Sequence, residues 1–253
     1  MLLLISPAKT LDFSEKEYPS FSQPALVEKS KILVKKLKKL SAPKIEKLMK
    51  VSNNIATLNV DRYQAFSTPF TQTNAKPAML AFKGDVYRGL DTEDFTEEDF
   101  EYAQKSLLIL SGLYGVLRPL DLIQAYRLEM KTALGIGKKK NLYEFWGHKI
   151  TQQINEYLDT HSTQAIVNLA SNEYFKSVKP KLLKGNLYTI GFKEKRNGQY
   201  KTIAFNAKRA RGLMCRFAIK NQLTKPEQLK KFALEDYTFN EEMSSENLWM
   251  FTR

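Results

Sequence analysis

The sequence has few of the residues that carry redox or metal chemistry. It contains one cysteine, Cys215, so no internal disulfide can form, which is typical of a protein from a reducing compartment. Its two histidines, His148 and His161, have no Cys or His neighbours at ligand spacing. The sequence therefore predicts no zinc or iron–sulfur site and no cofactor, and a metal site built only from carboxylates stays open.

Long hydrophobic runs are also lacking. The start, MLLLISPAKT, has only a few apolar residues and no basic segment before them, so it predicts a first strand and not a signal peptide. No apolar run reaches the roughly 18 residues of a membrane-spanning helix. We expect a cytoplasmic protein with no membrane association.

Motifs for common enzyme chemistry are missing. FKGD (82–85) is not a phosphate-binding loop, and neither GxGxxG nor GxSxG occurs. We find no internal repeat, low-complexity stretch or linker, so the 253 residues predict a single domain, 1–253. No arrangement of residues has a known catalytic spacing.

What the chain does have is positive charge. It contains 40 Lys and Arg against 27 Asp and Glu, a formal net charge of +13. Such an excess indicates an anionic partner, first nucleic acid and then phosphorylated small molecules or a membrane surface. The alternative is a charge that serves solubility and has no partner.

The charge is segregated along the chain. Residues 28–50 hold nine lysines against two glutamates, and residues 176–225 hold ten lysines and four arginines against one glutamate. Residues 85–101 are the reverse, with eight acids and one arginine. Solubility alone does not require segregation, whereas clustered cations bind phosphates without sequence preference and with strong salt dependence.

Strands and helices alternate in the pattern of apolar residues. Apolar strands are predicted at 2–5, 107–112 and 164–170, and a hairpin is predicted around Asn197-Gly198. Extended chain is predicted at 77–90 and a helix over 141–158. The pattern favours an α/β fold with a central mixed sheet surrounded by helices, and a mixed α+β fold is the alternative.

Two lysine-rich helices are predicted near the N-terminus, at 26–40 and 43–58, with a tight bend between them at SAP. Their outline is that of a helix–hairpin–helix, which grips a DNA backbone, although an ordinary pair of antiparallel helices has the same outline. The glycines usual in such a hairpin are absent. The lysines expected to contact DNA here are Lys35, Lys36, Lys38, Lys39, Lys44 and Lys47.

A second basic helix is predicted over 206–223. Arg209, Arg216 and Lys220 share one face, and Lys208 and Arg211 lie on a neighbouring one. We expect these five residues to contact DNA phosphates, while a solvated basic face is the alternative.

Polar residues next to glycine and proline turns predict a cleft at strand ends, where open sheets bind ligands. Within LSGLYGVLRPLDLIQAYRLEM (110–130), we expect Arg118 and Asp121 to form a structural pair, and Arg127 and Glu129 to face a ligand. Buried ion pairs are the alternative. The candidate cleft residues are Lys9, Lys83, Asp85, Arg118, Arg127, Glu129, Asn172 and Glu173.

Six motifs together resemble the YaaA peroxide-stress proteins, and the resemblance runs from residue 1 to the final MFTR. The motifs are SPAKTLD (6–12), AFKGDVYRGL (81–90), the 110–130 stretch, LYEFWGHKIT (142–151), NLASNEYFKSVKPK (168–181) and AKRARGLMCRF (207–217).

The resemblance implies a cytoplasmic protein of the hydrogen-peroxide response that limits free iron. It further implies a helical rind around a sheet, a basic cleft and a helix–hairpin–helix-like element that binds duplex or distorted DNA. That element would be residues 26–58, with its bend at Ser41 to Ile45. No catalytic residues are carried over.

Three hypotheses follow. The first is a nonenzymatic protein that binds DNA without sequence preference. The second is an enzyme acting on a nucleotide-like or phosphorylated small molecule in the cleft. The motivation is that the cleft contains pairs of acidic and basic residues, which binding of a DNA phosphate backbone does not require. The third is an interaction protein whose acidic 85–101 segment docks a basic partner. Cys215, among apolar neighbours, is expected to be a buried structural residue and not a peroxide sensor.

Overall fold

The computed structural model describes residues 1–14 and 17–253, and within them it is an α/β fold with an eight-stranded central mixed sheet between helices. The strands are β1 Leu2–Ile5, β2 Thr10–Leu11, β3 Lys76–Pro77, β4 Phe82–Lys83, β5 Leu107–Ser111, β6 Gly115–Leu117, β7 Leu122–Ile123, β8 Ala165–Asn168, β9 Asn186–Arg196, β10 Gln199–Lys201, β11 Thr238–Asn240 and β12 Leu248–Thr252. The α-helices are α1 Val27–Leu37, α2 Ala42–Met49, α3 Asn53–Ala65, α4 Ala78–Ala81, α5 Asp85–Leu90, α6 Glu97–Ser106, α7 Leu142–Trp146, α8 Lys149–Leu158, α9 Asn172–Phe175 and α10 Ala204–Lys220.

The central sheet has the order β11-β12-β9-β8-β1-β5-β6, with β10 paired to β9 alone. Strand β1 runs parallel to both neighbours, β5 and β8, and all four of its residues are buried. Continuous apolar strands of this kind are typical of a parallel sheet covered on both faces. The carboxyl ends of β8, β1 and β5 therefore meet at one edge, which positions the segments that follow them.

Several sequence predictions are confirmed. The predicted apolar strand at 107–112 is β5, which follows directly from α6, and Thr96 and Asp99 form a capping box at the start of that helix. The Asn197-Gly198 hairpin joins β9 to β10, and both turn residues have positive φ. Strand β12 runs parallel to β9 and lies between it and the edge strand β11.

The predicted single helix at 43–58 is wrong. Helix α2 ends at Met49, because Lys50 adopts a left-handed conformation with φ 53°, and α3 begins after Ser52. A left-handed residue ends a helix, and a Lys in that role leaves no glycine signal in the sequence.

Two further boundaries differ from the predictions. The stretch 77–90 is largely helical, as α4 and α5. Helix α5 forms despite the low helix propensity of Gly89, because it packs closely against α10. The predicted helix at 141–158 is divided at Gly147, whose φ of 56° separates α7 from α8.

Helix α5 crosses α10 at very short range. A Cβ on Gly89 would lie 2.1 Å from the Arg209 carbonyl oxygen, and one on Gly212 would lie 1.8 Å from that of Val86. Only glycine permits this approach. The crossing explains why AFKGDVYRGL and AKRARGLMCRF, far apart in sequence, occupy one region.

Candidate functional site

The motifs after β1 and β8 meet at the carboxyl edge of the sheet. The backbone amide of Ser171 donates to Ser6 Oγ at 2.9 Å, and the two hydroxyl oxygens lie 3.3 Å apart. Tyr87 of α5 donates to the Ser6 carbonyl at 3.2 Å. Three separate motifs are thus joined around the residue that follows β1.

Glu129 is the centre of a charged cluster beside this junction, and we call it the Glu129 cluster. Its carboxylate lies 3.0 Å from Lys9 Nζ, 3.2 Å from Arg127 Nη2 and 3.4 Å from Lys131 Nζ. Lys131 also approaches Glu173, at 3.6 Å. Four predicted cleft residues, Lys9, Arg127, Glu129 and Glu173, are therefore brought together.

The protonation of the cluster follows from these contacts. Burial alone raises the pKa of Glu129, but the ion pairs with Lys9 and Lys131 outweigh it, and the pKa is lowered. The carboxylates of Glu173 and Glu129 raise the pKa of Lys131. Both shifts favour the charged forms of Glu129 and Lys131, and the buried Glu129 carboxylate lies among basic side chains.

Sequence reasoning missed Lys131. A signal was available, because residues 127, 129 and 131 alternate, and alternating residues in extended chain lie on one side. Asn172, by contrast, was predicted to line the cleft. It lies exposed at the start of α9, next to Glu173.

Buried tyrosines lie close to this edge of the sheet. Tyr126 shares a hydrogen bond of 2.7 Å with Ser111, the last residue of β5, and its ring contacts that of Tyr114. Burial raises the pKa of Tyr87, Tyr114 and Tyr126 above the usual range, so these hydroxyls stay protonated. They supply neutral hydrogen-bond donors and acceptors.

Cys215 is buried, as predicted. Burial raises the pKa of its thiol far above the usual range. A reactive thiolate requires a lowered pKa and access to solvent. The side chain therefore has the character of a structural core residue.

A groove of about 610 Å³ opens beside the 6–14 segment. Lys83 Nζ lies 2.8 Å from Asp12 Oδ2, and this hydrogen bond, with that from the Ser14 backbone, lowers the pKa of Asp12. Asp85 pairs with Arg88 at 3.7 Å within α5. The charged residues that line the groove are Asp12, Lys76, Lys83, Arg88, Asp91, Glu93 and Arg209.

Arg118 does not join the Glu129 cluster, contrary to its predicted place in the cleft. It follows Leu117, which pairs with Ile109, so it lies away from the carboxyl end of β5. The predicted structural pairing is confirmed: Arg118 donates its backbone amide to the fully buried Asp121 at 2.8 Å and approaches it with its guanidinium at 3.5 Å.

Three residues of the basic helix α10 that were predicted to contact DNA form ion pairs within the protein. Arg209 pairs with Glu235 at 2.6 Å, and Arg216 pairs with Asp94 at 2.6 Å. Lys220 pairs with Asp99 at 2.8 Å. Contact of these three residues with DNA stays a prediction, but each cation is already balanced.

The other two predicted contacts of α10 differ from each other. Lys208 is exposed. Arg211 is half-buried, and burial lowers the pKa of its guanidinium. Lys208 is therefore the better placed of the two for a phosphate.

The lysines of α1 and α2 have a different environment. Lys38 donates to the Phe66 carbonyl at 3.0 Å. The other five have no carboxylate within 4 Å among the residues that the structure describes, and all are exposed: Lys35, Lys36, Lys39, Lys44 and Lys47. Lys50, which was not predicted as a contact, is exposed in the turn between α2 and α3.

Comparison with known proteins identifies the family. A family model described as peroxide stress protein YaaA matches residues 1–243. The chain belongs to this family. Membership of the YaaA family supports a role in peroxide stress.

Several similar curated proteins carry the name UPF0246 protein. The chain is 54% identical to one from Colwellia psychrerythraea over 254 residues, covering 100% of this chain and 99% of the relative. It is 53% identical to one from Saccharophagus degradans, with 100% and 99% covered, and 52% identical to one from Aliivibrio fischeri strain MJ11, with 100% and 98% covered. Within residues 1–14 and 17–253, no helix has the length and apolar character needed to cross a membrane.

Proposed function

We propose that this YaaA-family protein is a cytoplasmic DNA-binding protein of the peroxide response that grips the phosphate backbone without sequence preference. The observation that carries the proposal is the set of exposed lysines without carboxylate partners around α2 and α3. Unpaired lysines can neutralise phosphates and release counterions, whereas cations already paired within the protein gain less from a phosphate.

The turn between α2 and α3 supports a helix–hairpin–helix at this place. Lys50 is left-handed, Val51 follows, and Ser52 precedes α3 without capping it through its side chain. The first amides of α3 are therefore left without helical or side-chain acceptors, and such amides attract anions. We therefore propose the element at residues 42–65 with its bend at 50–52, instead of 26–58 with its bend at 41–45.

The packing of the two helices supports the same assignment. Ile45 of α2 and Ala56 of α3 are both fully buried. Lys44 and Lys47 lie exposed on α2, and Lys50 lies exposed in the turn. A phosphate at the start of α3 would meet amides and lysines together, which positions a backbone but reads no bases.

Hydrogen exchange on the full chain, with and without a blunt duplex, tests the proposal. We expect duplex DNA to slow exchange of the amides of residues 44–56. Slowing confined to residues 204–220 would place the duplex on α10 and contradict the hairpin assignment.

A second candidate function is an enzyme acting on a nucleotide-like or phosphorylated small molecule. The observations that favour it are the convergence of three basic side chains on Glu129 and the separate groove, which is lined by further cations. Backbone binding to DNA does not require a buried carboxylate at such a point. Binding of a small molecule and proton transfer both need polar side chains that are already held in position.

Thermal shifts with a set of nucleotides test this candidate. Stabilisation that is lost in Lys83→Ala or Arg127→Ala, while DNA binding is kept, would favour the small-molecule function. No stabilisation by any phosphorylated compound would count against it.

A further inference from the structure

The hairpin formed by β9 and β10 projects from the sheet. Strand β10 pairs with β9 alone, and a Cβ on Gly198 in the turn would meet nothing within 4 Å. Asn197 and Gly198 have φ of 49° and 78°, so the turn is tight and matches the strand twist.

One face of this hairpin is anchored to the protein body. Glu194 is buried and accepts hydrogen bonds from Asn206 at 2.7 Å, Arg196 at 2.9 Å, Tyr237 at 3.0 Å and Arg253 at 3.1 Å. The carboxylate thus holds the base of the hairpin against the start of α10 and the C-terminus. The projecting part is supported at its base and not loosely attached.

The opposite face carries an aromatic ring beside a lysine. Tyr200 pairs directly with Lys195, so the two side chains lie on one face, away from the face of Glu194. Tyr200 is 37% exposed, and Phe205, at the start of α10, is 53% exposed. Lys195 is exposed and has no carboxylate within 4 Å among the described residues. The same holds for Lys201, which lies on the face of Glu194, and for Lys208 on α10.

We infer that this hairpin is a stacking platform for unpaired DNA bases, with the Tyr200 ring taking a base and Lys195 an adjacent phosphate. Every base has a π face, so a ring flanked by lysines binds single strands without reading sequence. A buried base pair in an intact duplex cannot offer that face. The inference rests on the proposed DNA-binding function and extends it to unpaired bases.

Fluorescence anisotropy with labelled oligothymidine and a blunt duplex tests the inference on the full chain. We expect Tyr200→Ala to weaken oligothymidine binding by roughly five- to a hundredfold, the range for losing one stacked base, and to leave duplex binding unchanged. Phe21→Ala, which removes another exposed aromatic ring, is the matched control and should change neither affinity.

A second variant reports on stacking directly. Tyr200→Trp should keep oligothymidine affinity, and its indole fluorescence should be quenched by oligothymidine and not by the duplex. Unchanged oligothymidine affinity in Tyr200→Ala, or equal losses on both DNAs, would overturn the inference.

The failure of this inference can be told from the failure of the proposed function. The triple variant Lys44→Gln, Lys47→Gln, Lys50→Gln reports on the α2–α3 hairpin through duplex binding. If it loses duplex affinity while Tyr200→Ala keeps oligothymidine affinity, only the stacking platform is wrong. If it keeps duplex affinity while Tyr200→Ala loses oligothymidine affinity, the platform stands and the α2–α3 assignment is wrong.

Discussion

Lys220 Nζ lies 2.8 Å from Asp99 Oδ2, which joins the end of the basic helix α10 to the start of the acidic helix α6. Asp99 is almost completely buried and also caps α6 through the Thr96 amide. Two blocks of opposite charge in the sequence therefore balance each other in the fold. The acidic 85–101 segment was considered as a docking surface for a basic partner. Part of its negative charge is already paired with the basic helix α10 of the same chain.

Removal of Lys220 should destabilise the protein. Lys220→Ala leaves the buried Asp99 carboxylate with one fewer donor, so we expect the free energy of unfolding to fall by about 1–3 kcal/mol. Chemical denaturation measures this change. Lys138→Ala, at an exposed lysine, is the control and should have little effect. Equal stability of the Lys220→Ala and Lys138→Ala variants would show that the pair contributes nothing.

The helix crossing should not tolerate a methyl group. In Gly212→Ala the new Cβ would overlap the Val86 carbonyl oxygen, so α5 and α10 must separate. We expect a loss of about 1–3 kcal/mol of unfolding free energy, the usual cost of overpacking. The control is Gly135→Ala, where the nearest atom would be 3.5 Å away. A Gly212→Ala protein as stable as Gly135→Ala would disprove the close crossing.

Acid should weaken the anchor of the β9–β10 hairpin. Burial alone raises the pKa of Glu194, but hydrogen bonds from Asn206, Arg196, Tyr237 and Arg253 outweigh it and lower the pKa to about 2. A lowered folded-state pKa adds stability above the unfolded pKa, and that stability is lost as the pH falls towards 2.

The pH dependence of unfolding measures this contribution. In the wild type, we expect Glu194 to account for up to about 3 kcal/mol of the stability lost between roughly pH 4.5 and pH 2. Glu194→Gln should show a correspondingly smaller loss over that window, whereas the exposed Glu242→Gln should behave like the wild type. Parallel curves for Glu194→Gln and the wild type would contradict the assignment.

The sheet was predictable because its strands carry their own signal. Leu2–Ile5 and Leu107–Ser111 are continuous apolar runs, and the Asn197-Gly198 turn is a local pattern. The break at Lys50 was not predictable, since its left-handed conformation depends on the packing of α2 and α3. The helix at Asp85–Leu90 was not predictable for a similar reason. Its glycine, Gly89, is needed for the close approach of α10 and not for the helical conformation of α5 itself.

The candidate site was predictable only in part. Lys9 and Glu173 follow β1 and β8, whose ends lie at the same edge of the central sheet. Arg127 and Glu129 follow β7, which pairs with β3 outside that sheet, and they reach the edge because Leu128 packs closely against Gly112 after β5. Arg118 was misplaced because β6 is antiparallel and carries it to the other side. The ion pairs of Arg209, Arg216 and Lys220 join residues far apart in the chain, so spacing within a helix could not reveal them.

The central claim is that DNA phosphates bind the exposed lysines of the α2–α3 hairpin, and the salt dependence of duplex affinity tests it most directly. Each lost phosphate contact lowers the slope of log affinity against log salt by about 0.9. For Lys44→Gln, Lys47→Gln, Lys50→Gln we expect weaker binding and a slope smaller by about 2–3. The control Lys138→Gln, Lys139→Gln, Lys140→Gln removes the same charge from exposed positions elsewhere and should keep the wild-type slope. Identical slopes for the two triple variants would contradict the account.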